Sequence, residues 1–120
     1  MGAYVDSMLV HVPKARLAEY RKLARLTGKV WREHGALEYV ESVGDGLQPG
    51  KWTSFPRSVK LKEDEVVVFC YIVYKSRAHR DLVWKKVMAD KRLAHLMVPG
   101  AMPFDSKRMI WGGFKRLVEV

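Results

Sequence analysis

The stretch Val66-Val67-Val68-Phe69-Cys70-Tyr71-Ile72-Val73-Tyr74 (VVVFCYIVY) holds nine residues without a charge, a glycine or a proline. It reads as the strongest strand of the chain. A strand that is apolar at nearly every position is covered on both faces, so it belongs at the centre of a sheet. The fold is read outward from it.

On its C-terminal side, Ser76 is placed to cap a helix from about Arg77 to Met88, with Val83, Trp84, Val87 and Met88 on its buried side. Asp90 can cap a short further helix through Leu93, Leu96 and Met97. Pro99, Gly100 and Pro103 then break the chain, and 107–118 reads as a last strand. On the N-terminal side, 44–65 is a long irregular stretch holding Trp52 and Phe55. Loops of that length are unusual in compact domains and are often functional. Before it come a strand over 37–43 and an amphipathic helix over 14–33. Leu17, Tyr20, Leu23, Ala24, Val30 and Trp31 recur there at helical spacing. Gly28 inside this helix marks a bend or a close contact. The first strand, 4–12, is apolar on both faces except at Asp6 and His11, and Pro13 ends it.

The order strand, helix, strand, loop, strand, helix, strand predicts an α+β, ferredoxin-like βαββαβ sheet with both helices on one face. Residues 1–120 form a single domain, which is a common size for one core. The other sheet face still carries large apolar groups. A second copy of the chain, paired through the sheet faces as a homodimer, is the simplest cover.

Composition narrows the function without fixing it. The formal net charge of +9 favours acidic partners. Arg21, Lys22, Arg25, Lys29 and Arg32 form a basic helix face that is open to RNA. No phosphate loop or aromatic RNA-binding motif accompanies it, and a solvated face is the plainer reading. The single Cys70 reads as a buried thiol in a reducing compartment. No apolar window is long enough for a membrane span and no signal peptide is evident, so the cytoplasm is the default location.

Three residues are candidates for proton transfer, in the order His34, His11 and Asp6. His34 sits where the first helix ends, so capping is its plainer role. His11 and Asp6 interrupt apolar strand faces. An inward Asp6 needs a partner, with Arg108 or Tyr71 the nearest in prospect, and would mark a pocket. Trp52 and Phe55 are candidates to close over a flat apolar ligand, or to pack a dimer. Asp105, Lys107 and Arg108 are candidates for a ligand mouth, the two cations holding an anionic group; a turn cap is the plainer role of Asp105. The four histidines and the one cysteine have no metal-site spacing, so neither metal nor cofactor is expected.

The segments VPKARLAEYRKLARLTGKVWREHGALEYVE (12–41), WTSFPRSVKLKEDEVVVF (52–69), SRAHRDLVWKKVMAD (76–90) and MPFDSKRMIWGGF (102–114) together resemble the DUF1428, or YbaA-like, family of bacterial proteins. The resemblance spans nearly the whole chain. It implies the dimeric α/β barrel architecture, in which two ferredoxin-like chains pair through their sheets. Fold relatives of that kind include cofactor-free monooxygenases, isomerases, haem enzymes and regulatory ligand-binding domains, so fold alone cannot choose among them. The expectation is a small apolar or aromatic molecule held between sheet and helices, with monooxygenase-like chemistry as one use. A non-catalytic ligand-binding or regulatory module and an RNA-binding protein are the alternatives.

Overall fold

The computed structural model describes residues 3–96, 98 and 100–120. Four strands, β1 (Tyr4–Pro13), β2 (Glu38–Val43), β3 (Glu65–Tyr74) and β4 (Ile110–Lys115), form one antiparallel sheet in the order β2-β3-β1-β4. The central place of β3 follows from its composition. It pairs with β1 along ten residues, from Tyr4 opposite Tyr74 to Pro13 opposite Glu65. Helices α1 (Leu17–Glu33), α2 (Phe55–Ser58) and α3 (Arg77–Met88) complete the fold. Among the described residues no helix is long and apolar enough to cross a membrane.

The α+β character is as the sequence reads, but the barrel is not. The sheet is open, with β2 and β4 as separate edges. Closing a sheet needs its edge strands bonded to each other at a consistent tilt and stagger. Four strands, two of them only six residues long, leave both edges unpaired in this chain. The dimeric α/β barrel implied by the resemblance is therefore corrected to an open four-stranded sheet.

Several boundaries also move. Residues Lys14–Arg16 form a 3₁₀ turn after Pro13, so α1 begins at Leu17. The last strand is short because the Asp105 carboxylate accepts from the Lys107 amide at 3.0 Å, folding Ser106–Arg108 into another 3₁₀ turn. Beyond Lys115 one backbone bond, Arg116 N–H to the Ala3 carbonyl at 3.1 Å, follows the sheet. The segment after Asp90 is 3₁₀, Lys91–Leu96; Met97 and Pro99 lie outside the described residues. Within 44–65, Ser54 caps α2 by accepting from the Arg57 amide at 3.1 Å. Gly28 answers to close packing. A Cβ there would lie 2.6 Å from the Tyr39 ring.

Alternation sorts the strands into two faces. Tyr4, Asp6, Met8, Val10 and Val12 of β1 look toward α1 and α3, as do Val68, Cys70, Ile72 and Tyr74 of β3. Val30 and Trp31 of α1, with Val83 and Val87 of α3, close the core over them. The opposite face presents Val5, Leu9, Val40, Phe69, Tyr71, Ile110 and Phe114. Phe69, Ile110 and Phe114 are exposed at 41%, 43% and 61%. One end of that face, at His11 and Val67, is buried.

Candidate functional site

The inward sheet face and the two long helices do not meet everywhere. Between them lies a cavity of about 370 Å³. Such a volume falls at the lower end of small-molecule pockets, about 300–1,000 Å³. Its floor is Met8, Val10, Cys70 and Ile72, and α1 walls it with Leu23, Ala24, Thr27 and Trp31. Trp84 of α3 and Trp111 of β4 stack at one side, with ring centroids 5.3 Å apart and tilted by 32°. Met88, Met102 and Met109 add flexible thioethers, which adapt to irregular shapes.

Two carboxylates interrupt this apolar lining. Asp6 is 2% exposed. Its Oδ2 accepts from the Trp84 indole at 2.9 Å. Its Oδ1 makes no hydrogen bond and stands 4.0 Å from Arg80 Nε. The Arg80 guanidinium is held over the rings of Tyr4 and Trp84, 5.1 and 5.2 Å from their centroids. The partner of Asp6 is thus α3, not Arg108 or Tyr71. Glu41 of β2 is the second carboxylate. It accepts from the hydroxyls of Tyr39, at 2.6 Å, and Tyr20. Burial pushes both phenols above their ordinary range, and the Glu41 charge adds to this, so both remain donors. Burial likewise raises the Cys70 thiol, which keeps it protonated and unreactive.

The remaining sequence candidates lie elsewhere. His34 ends α1, and its Nε2 is 2.7 Å from Asp90 Oδ2. Asp90 also binds Arg92, which reaches Glu33 at 2.7 Å. That network ties the end of α1 to the turn after α3, and His34 does not line the cavity. Arg108 forms two bonds to Glu65, at 2.9 and 2.5 Å, and reaches the carbonyls of Val59 and Lys60 at 3.2 and 2.9 Å. It clips the long loop to the sheet and does not line the cavity. Lys107 and Asp105 sit in the same exposed turn. Trp52 and Phe55, 83% and 56% exposed, do not line the cavity. Of the sequence candidates, only Asp6 does. Among the described residues no group of three or more His, Cys, Asp or Glu could hold a metal ion.

His11 is fully buried against the Arg108–Glu65 clip, with its ring edge-on to Phe104 at 6.0 Å. The Asp105 backbone comes near it, but neither ring nitrogen closes a hydrogen bond. Burial, and then the Arg108 charge, lower its pKa below the ordinary 6.5. The unfolded chain therefore takes up a proton before the folded one does. Stability holds above pH 6.5 and falls as pH drops through the window below it. Unfolding in urea at pH 7.5 down to about 5 is expected to show this loss, and His11→Gln to flatten it. An unchanged slope in the variant counts against it.

An open antiparallel sheet under two helices, enclosing an apolar cavity with two fixed carboxylates, defines a small α+β domain. The chain belongs to the family described as "Protein of unknown function (DUF1428)", whose model matches residues 3–106. It is 40% identical over 116 residues to "Uncharacterized protein YbaA" of Escherichia coli K12, covering 97% of each chain. The protein of that name from Shigella flexneri matches to the same extent. A solved structure, "De novo designed protein Foldit4", aligns over 98% of this chain and 99% of its own, at 10% identity and a TM-score of 0.46, too low to inform fold or function.

Proposed function

We propose that this protein binds a small apolar or aromatic molecule in the cavity between the sheet and α1 and α3. One observation carries the reading. A void of about 370 Å³ has apolar walls, stacked tryptophans and two positioned carboxylates. Apolar surface leaving water drives entry, and the few polar groups orient what enters. Native mass spectrometry of freshly purified protein tests it. A discrete organic mass retained by the wild type and displaced by an added aromatic competitor supports it. A bare chain that takes up no competitor opposes it.

Chemistry on that ligand, of the cofactor-free monooxygenase kind, is the second reading. Proton abstraction needs a base within reach of the bound molecule. Asp6 lines the cavity and has one carboxylate oxygen without a hydrogen bond, which favours it over His34 and His11. Binding retained in Asp6→Asn with turnover lost separates an enzyme from a passive binder.

The partner proposed for the outer sheet face is a second copy of the chain. Val5, Ser7, Leu9, Val40, Phe69, Tyr71, Ile110 and Phe114 form a patch without a cation in a chain of net charge +9, with the acid Glu38 on the same face at the start of β2. Two like chains can meet on that face without opposing their cations. Phe69→Asp is expected to yield a folded monomer, because Phe69 is on the exposed face and outside the core. Light scattering on a sizing column reads the mass. A monomeric wild type or a dimeric variant sinks the proposal. The single buried thiol suits a reducing compartment such as the cytoplasm.

A further inference from the structure

The side of α1 that faces β2 forms a second concave feature, distinct from the apolar cavity. Arg21, Arg25, Lys29 and Arg32 follow one another at spacings of four, four and three, so they share one helix face. They line a groove of about 360 Å³ whose other wall is the edge strand, through Tyr39 and Glu41. Gly28 shapes it, since the Tyr39 ring occupies the space a side chain there would need.

A face built only for solvation would alternate acids with these cations. Opposite charges at i,i+4 stabilise a helix by about 0.2–0.5 kcal/mol, and like charges destabilise it by similar amounts. Helix α1 places like charges at that spacing at 21/25 and 25/29. Its acids, Glu19 and Glu33, stand near its two ends, paired with Arg16 at 2.8 Å and Arg92 at 2.7 Å. Among the described residues no ion pair involves the four groove cations. Glu41, the acid in the groove wall, already accepts from Tyr20 and Tyr39 on its two oxygens. Apart from Glu41, whose two oxygens are engaged by the tyrosine hydroxyls, the concave volume these cations line holds no protein acid.

We infer that this groove is a binding site for a compact polyanion of the oligophosphate class. Four cations line one void, where a polymer track would spread them along a surface. Three are arginines, whose forked donors fit phosphate oxygens. The net charge of +9 speeds the encounter. The inference stands apart from the apolar ligand, although Ala24, Tyr39 and Glu41 belong to both walls.

Calorimetry with tripolyphosphate at about 50 mM salt tests it. The wild type is compared with Arg25→Ala/Lys29→Ala and with Lys51→Ala/Lys86→Ala, which removes the same charge away from the groove. All four side chains are exposed, so the variants keep the fold. The expected result is one polyphosphate per chain, an affinity loss of about tenfold or more in the groove variant, and less than about twofold in the control. Equal losses in both variants, or no binding by the wild type, overturn the inference. An oligoribonucleotide whose affinity grows with length and is not competed by tripolyphosphate overturns it in favour of a polymer surface.

Discussion

Arg108→Met is expected to destabilise the fold by about 3 kcal/mol or more, the usual cost of stranding one partner of a buried ion pair. The side chains of Glu65 and Arg108 are only 5% and 16% exposed. The same guanidinium also satisfies the carbonyls of Val59 and Lys60. Without it, the Glu65 charge stays buried and the 44–65 segment loses its fastening to the sheet. Adding Glu65→Leu removes the stranded charge, so the double variant is expected to recover part of the loss. Urea unfolding of both variants reads this. A single variant as stable as the wild type contradicts the clip.

Ala24→Phe is expected to weaken binding of an aromatic ligand by more than about tenfold, because it occupies the space the ligand needs. Ala24 lies in the cavity wall on α1, opposite the sheet floor. The fold has room for the ring, so thermal stability should hold or rise. Ala24→Ser, which fills little space, is the control. Trp52→Ala should leave binding unchanged, since Trp52 does not line the cavity.

Much of the frame was legible in the sequence because its signals are local. The run 66–74 identifies the central strand, Pro13 ends the first strand ahead of the first helix, and alternation in 4–12 turns Asp6 inward. Asp6 stood out as an acid on an apolar face, and that anomaly led to the cavity. Glu41 was missed, although Tyr39 two residues earlier on the same strand face was a usable signal. Its importance depends on Tyr20, which only packing of α1 on the sheet brings near. The role of Arg108 was also out of reach, since Glu65 is 43 residues away and meets it only after the loop folds back. Trp52 and Phe55 looked like a ligand lid because aromatic residues in a loop suggest one, yet both are exposed and neither lines the cavity. The barrel failed for a different reason. Closure depends on which strand edges meet, and apolarity on both faces does not specify that.

The most direct test of the ligand pocket is a titration with 2-naphthol followed by tryptophan fluorescence, in the wild type and in Ala24→Phe. Trp31, Trp84 and Trp111 all line the cavity, so an occupant changes their emission. The account predicts saturable quenching at one site per chain in the wild type, and a curve shifted by more than about tenfold in the variant. No saturable change in the wild type, or superimposable curves for the two proteins, would contradict it.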